Sequence, residues 1–229
     1  MKILHISDTH GVHEQLELEY FPILIHSGDH SNFPDVRGEE EFFKFVEWLA
    51  KQPHKYKIVV AGNHDWFCYK FPFEARKIFE DNNIIYLNKE EVSIDGKVFY
   101  GEPTTRKFGN WFFTVEGKDL KKHFELIPTY TDVLITHGPP YGHLDKAFCY
   151  NTGERISVGS SALQKRLNDL SNLKAVLFGH IHNNYSSGKG ANINSGINIE
   201  DKVIYSNGSC VTDSILKYRI TSHGNHIQI

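Results

Sequence analysis

The residues best equipped for chemistry in this sequence are aspartates, an asparagine and histidines gathered in five short motifs. They are Asp8-Thr9-His10, Gly28-Asp29, Gly62-Asn63-His64-Asp65, His137-Gly138 and Gly179-His180-Ile181-His182. Carboxylate, amide and imidazole are donors that divalent metals accept where thiolates are scarce, and imidazole is the commonest metal ligand of all. The chain has 14 histidines but only three cysteines, Cys68, Cys149 and Cys210, which show no Cys-x-x-Cys spacing. A disulfide framework or a thiolate zinc site is not expected. Each motif alone is weak evidence. A Gly-Asp after a strand is more often a turn, and most of the histidines are read as ordinary core or surface residues.

The strength of the set lies in where its members stand. Each follows a run that reads as a buried strand: Lys2–Ser7, Pro22–His26, Lys57–Ala61, Asp132–Thr136 and Ala175–Phe178. Ligand sites of open α/β sheets gather outside the carboxyl ends of their strands, so one fold can bring all five motifs together. Between these runs, helical spacing predicts Glu39–Gln52, through Phe42, Phe43, Phe45, Val46 and Leu49, and also Phe73–Asp81, Leu120–Phe124 and Ser160–Leu170. A short strand is expected over Asn83–Leu87. A hairpin is expected at Val92–Ile94 and Lys97–Tyr100, turning on Asp95-Gly96. Further strands are expected near Ala191–Asn194, Val203–Ser206, Ile215–Ile220 and Gly224–Ile229. Residues 138–159 read as a long, functional loop. Strand–helix units followed by a β-rich half predict an α/β fold. It is a four-layer α/β/β/α sandwich of two mixed sheets with helices on the outer faces, formed by a single domain over residues 1–229.

Composition excludes several function classes. The 229 residues are 40% hydrophobic and 23% charged with a formal net charge of -3, as in soluble globular proteins. No basic run marks a bulk nucleic-acid footprint. No stretch has the length of a membrane span, and the first residues do not read as a signal peptide. With its cysteine usage, the chain is expected to be cytoplasmic.

The ordered motifs resemble the calcineurin-like metallophosphoesterase family from Lys2 to about Ser209. Finer strings resemble its small metallophosphoesterase-domain-containing phosphodiesterases. These are Pro53-His54, Ala61-Gly62-Asn63-His64-Asp65, Ile135-Thr136-His137-Gly138-Pro139-Pro140-Tyr141-Gly142, Phe178-Gly179-His180-Ile181-His182 and Tyr205-Ser206-Asn207-Gly208-Ser209-Cys210. The resemblance implies two divalent metals, manganese first, with iron, zinc or nickel as alternatives. It implies that Asp8, His10, His182 and Asp29 hold one ion, and that Asn63, His137, His180 and Asp29 hold the other. Asp29 would be the bridge, and His64 the catalytic residue beside the phosphate. The implied reaction is phosphodiester hydrolysis by a hydroxide held between the ions, on a small substrate of nucleotide type. Two-metal sites of this kind place their ions about 3.5–4 Å apart. A phosphomonoesterase or nuclease on the same site is the alternative, and a non-catalytic scaffold is weighed below both.

One departure from the family is Asn32, where relatives often have an aspartate that orients the catalytic histidine. Asn32, His143 and Asp145 are candidate substrate contacts. Arg106, Phe108, Trp111 and Phe112 could line a cleft, but core packing of the aromatics and a solvated arginine are preferred. Asp65 either supports His64 or caps the segment that follows. His5, His26 and His30 are read as packing behind the ligands, and Cys68 as unreactive. No arginine adjoins any motif, which favours a diester over a monoester dianion. The sequence leaves the oligomeric state open.

Overall fold

The computed structural model describes residues 1–149, 152–183, 195–212 and 218–229. Two mixed sheets form its centre. The first has the order Asn225–Gln228, Lys2–Ile6, Ile23–His26, Tyr56–Val59, Ile85–Tyr86, parallel except for its terminal strand. The second has the order Gly196–Glu200, Val203–Asn207, Ala175–Phe178, Val133–Thr136, Lys97–Glu102, Glu90–Ile94, with four parallel strands between two antiparallel edges.

Side chains alternate across each strand, which sorts the core into three layers. Ile3, Ile25, Ile58, Val133, Ile135 and Leu177 face inward and pack the sheets together. Leu4, Ile6, Leu24 and Val59 face the helices Val36–Ala50 and Pro72–Asp81 through Phe42, Phe45, Leu49 and Phe79. On the opposite outer face, Leu134, Val176 and Phe178 meet Leu120, Phe124, Leu163 and Leu167 of the helices Gly117–Phe124 and Ser161–Leu167. This is the expected α/β/β/α sandwich.

The differences from the sequence reading are local. The first helix begins at Val36 rather than Glu39, because Asp35 caps it by accepting the Arg37 N–H at 3.0 Å. A short helix at Trp66–Lys70 directly follows the Asn63-His64 motif. Residues 138–159 are not all loop: Lys146–Phe148 and Arg155–Ser157 pair as a small antiparallel hairpin. The expected hairpin turns at Asp95 and Gly96, both at positive φ (48° and 75°), as a two-residue turn requires. The strand expected near Ala191–Asn194 lies outside the described residues. Of the one expected at Ile215–Ile220, only Arg219–Ile220 is described as strand.

Candidate metal centre

The carboxyl ends of five parallel strands, from both sheets, point to one edge of the sandwich. Each carries one of the polar motifs. The chain turns sharply there, and Asp8, His10, Asp29 and His180 have positive φ of 52°, 41°, 58° and 69°. That region is unfavourable for residues with a Cβ and is held only where the surroundings over-determine it. His180 and His182 sit beyond the end of the strand Ala175–Phe178, as the sequence places them. Gly62 permits one close approach. A Cβ there would run into the Asp29 carboxylate and lie 2.5 Å from the Asp29 main-chain nitrogen.

Among the described residues three overlapping groups of ligand atoms result, the atoms of each within 4.8 Å of one another: Asp8, His10, His182; His10, Asp29, His64; and Asp29, His137, His180. His10 Nε2 is 3.2 Å from His182 Nε2, which is 3.1 Å from Asp8 Oδ1. Two ring nitrogens facing each other with a carboxylate beside them match donors around one cation. Ligands at about 2.0–2.2 Å from an ion lie roughly 3–3.5 Å from each other. Across the site, His137 Nε2 is 3.2 Å from Asp29 Oδ2 and 3.0 Å from Asn63 Oδ1. His137 Nδ1 donates to the Ser27 carbonyl at 3.0 Å, which aims Nε2 into the cluster. Asp29 stands between the halves, with Oδ2 3.8 Å from His10 Nε2 and Oδ1 accepting the His64 N–H at 2.7 Å. The buried Nδ1 of His10 has no hydrogen-bond partner, so its Nε2 is the atom engaged in the cluster.

The electrostatics suit a cation. Burial would raise the Asp8 carboxyl, but His182 and then His137 hold it below the usual carboxylate range. Asp29 is held low in the same way, by His137 and His64 against burial. Burial, reinforced by His137, lowers His180 to about 3, leaving a neutral imidazole able to bind metal. For His137 burial works downward and Asp29 overrides it, raising the ring to about 9. A proton and a divalent ion thus compete for the same place, as expected of a metal ligand.

Asp65 performs neither role expected of it. The short helix after it receives no side-chain cap. Its fully buried carboxyl group instead ties two loops together, accepting from Gly62 N of its own loop at 2.7 Å and from Asp29 N at 2.9 Å and Ser31 N at 3.0 Å of the loop after Ile23–His26. Behind it His30, 3.3 Å from Asp65 Oδ1, stacks on Phe45. His5 lies between the hydroxyls of Ser206 and Ser27, at 2.8 and 2.9 Å. Cys68 is buried.

Above the ligands opens a cavity of about 550 Å³, lined by Asp29, Asn63, His64, His180 and His182 below and by Arg106, Lys107, Phe108, Pro139, Val158, Ile181 and Tyr218 around. The reading of Phe108 and Trp111 as core is corrected. Phe108 is 47% exposed with its ring 5.0 Å from that of His180, and Trp111 packs on His64 at 4.0 Å. Folding also returns Arg106 to the cavity, although it adjoins no motif. His143 and Asp145 do not line the cavity. His143 stacks on Tyr205 at 3.7 Å. Asp145 Oδ2 accepts Gly142 N at 2.9 Å and Gly159 N at 3.0 Å, closing the base of the hairpin arm. The Asn32 side chain accepts from Tyr218 Oη at 3.3 Å. Tyr218, whose ring stacks on His10 at 4.4 Å, was missed because nothing local in the tail distinguishes it.

A mixed double sheet with clustered carboxylate and imidazole donors at its strand ends defines a metallophosphoesterase fold with a candidate two-metal site. The chain belongs to the calcineurin-like phosphoesterase family, whose model matches residues 1–184. It is similar to metallophosphoesterase domain-containing protein 1 of Homo sapiens, at 34% identity over 207 residues, covering 79% of this chain and 60% of that one. It is similar also to a UPF0046 protein of Caenorhabditis elegans, at 32% identity over 201 residues, covering 80% of this chain and 69% of that one. The chain thus spans less than two thirds of the human relative's length. Among solved structures, a phosphopantetheinyl hydrolase of Mycobacterium tuberculosis shares the fold, with TM-score 0.54 at 15% identity over 91% of this chain and 88% of that one. Among the described residues, no helix is long and apolar enough to cross a membrane.

Proposed function

We propose that this protein is a dinuclear-metal phosphodiesterase, working as one domain over its full length. In it Asp8, His10 and His182 hold one ion, Asn63, His137 and His180 the other, and Asp29 bridges them. The observation that carries this reading is the division of the donors into an Asp8 group and a His137 group with Asp29 between. Two bound divalent ions would supply an activated water and positive charge for the phosphoryl oxygens, and manganese suits this carboxylate and imidazole set. His64 is not needed as a ligand. Its Nδ1 is committed to the Asn32 carbonyl at 3.2 Å, so Nε2 is the nitrogen left for a phosphoryl or leaving-group oxygen, to which the imidazolium form can donate. A cysteine content of only three, with no Cys-x-x-Cys spacing, supports a cytoplasmic location.

The preference for a diester rests on the cavity walls. Phe108, Pro139, Val158, Ile181 and Tyr218 offer apolar surface on more than one side of the ligands, which suits a phosphate carrying organic groups on both ester oxygens. Arg106 supports a second reading, phosphomonoester hydrolysis, because a dianion would use that cation. Lys107 is already paired with Glu116 at 3.4 Å. The test is kcat/KM for an aryl phosphodiester against the matching monoester, with manganese at neutral pH, in the native protein and in Arg106→Ala. The diester should be preferred and little affected by the substitution. A monoester preference that vanishes in Arg106→Ala moves the protein to the phosphatase reading. Metal-free, inactive protein of normal stability moves it to the scaffold reading.

A further inference from the structure

His64 lacks the carboxylate that orients a catalytic imidazole, since the residue at that place is Asn32. The Asn32 side chain does not compensate, because it is turned toward Tyr218. What holds His64 Nδ1 is the main-chain carbonyl of Asn32, at 3.2 Å. A carbonyl only accepts, so Nδ1 carries the proton and the ring's free nitrogen is Nε2.

That carbonyl belongs to the peptide unit joining Asn32 to Phe33. The N–H of the same peptide unit, on Phe33, points to Glu41 Oε2 at 3.4 Å, and the Asn32 N–H donates to the same oxygen at 2.6 Å. Glu41 comes from the second turn of the helix Val36–Ala50, whose start is fixed by the Asp35 cap. The order of groups is therefore carboxylate, peptide N–H, peptide C=O, imidazole N–H. Aligned hydrogen bonds through one peptide polarise each other in the same sense. A negative charge on the N–H side makes the carbonyl a better acceptor.

We propose that Glu41 is the positioning residue for His64, supplying through the 32–33 peptide the orientation and negative charge that Asn32 cannot. Tyr218 completes the clamp by holding the Asn32 side chain, so the peptide is fixed on three sides. Among the described residues the hydrogen bonds of Glu41 go to the Asn32 and Phe33 N–H groups and not to a candidate ligand, so its effect on the chemistry is assigned to His64. The proposal rests on the role given to His64 in the preceding section.

The experiment compares native protein, Glu41→Ala and Glu41→Gln. Gln can still accept both N–H groups through one oxygen but carries no charge. Three quantities are read: metal content by elemental analysis, kcat/KM for an aryl and an alkyl phosphodiester, and the His64 imidazole N–H resonance in zinc-loaded, 15N-histidine-labelled protein, assigned by its absence in His64→Ala. An alkyl leaving group needs a proton and an aryl one scarcely does. Glu41→Ala should lower the alkyl rate by about 10–100-fold, change the aryl rate by less than about 3-fold, and broaden the His64 signal, with metal content unchanged. Glu41→Gln should recover the resonance and part of the alkyl rate. Equal losses for both leaving groups, loss of metal, or an unchanged His64 resonance in Glu41→Ala would overturn the proposal. The resonance needs no turnover. A wild type that hydrolyses no diester but shows a Glu41-dependent His64 resonance sinks the assigned reaction and leaves the positioning intact.

Discussion

Removing Asp65 tests how the site is held together. Its carboxyl group is fully buried and accepts three main-chain N–H groups at the edge of the site, from Gly62 in its own loop and from Asp29 and Ser31 in the loop after the neighbouring strand. Asp65→Ala orphans all three. A buried donor without a partner costs about 1–3 kcal/mol. Water entering the space left by the side chain would satisfy some of this, so the expected loss is about 3–5 kcal/mol. Total stabilities of single domains run to about 5–15 kcal/mol. For a chain of this size the loss corresponds to a fall in Tm of roughly 6–20 °C. Asp65→Asn keeps the shape and replaces one acceptor oxygen with a donor. Its single oxygen can keep Gly62 and Asp29, while its amide opposes Ser31 N, so about 1–3 kcal/mol is expected. Urea unfolding should be measured with chelator present, so that bound metal does not contribute to the folded state. Metal content is then measured separately after reloading. Both variants should lose affinity at the site containing Asp29, because the Asp29 N–H and the Gly62 loop that faces it share Asp65. Wild-type stability in Asp65→Ala, or full metal content in a destabilised Asp65→Ala, would show that the three hydrogen bonds do not organise the centre.

Other outcomes follow from the same geometry. His64→Ala should keep both metals by elemental analysis and lose about 10²–10⁴-fold in rate on substrates with poor leaving groups; loss of a metal would place His64 among the ligands instead. Gly62→Ala should leave the fold measurable by circular dichroism but bind less metal, since its Cβ occupies the space of the Asp29 carboxylate; two ions per chain in that variant would refute the packing argument. Stability without metal should fall as pH drops from about 6.5 toward 4. Burial lowers His5 and His26 to about 3 and His13 to about 4, so each is neutral in the folded protein where its unfolded form is protonated. The unfolded chain then binds more protons, and each such histidine contributes a slope of about 1.4 kcal/mol per pH unit, with stability present above pH 6.5. Urea midpoints that stay flat from pH 6.5 to 4.5 would contradict the assigned neutrality.

The sequence by itself determined the order of the donors and the strands that present them. Apolar runs such as Val133–Thr136 and Ala175–Phe178 are recognisable because local alternation and length encode a strand, and a motif's place at the strand's end is a property of the chain. The α/β/β/α layering followed from the same local patterns. What the sequence could not decide was anything set by contact between distant segments. Asp65 sits next to His64 in the chain, yet it serves Asp29 and Ser31, because the loops after two neighbouring strands meet above it. Arg106, Phe108 and Tyr218 adjoin no motif, and the fold alone carries them to the cavity, as it carries Trp111 to His64. His143 and Asp145 lie close to His137 in sequence but are turned into the base of the hairpin arm. His180 and His182 stand two residues apart, yet positive φ at His180 bends the chain and the two meet different partners. Glu41 illustrates the limit most fully. It reads as one acid among several early in a helix, and only the crossing of that helix over the Asn32–Phe33 peptide connects it to His64. Local periodicity is written residue by residue, while the meeting of loop ends depends on how the two sheets pack, and no single segment encodes that.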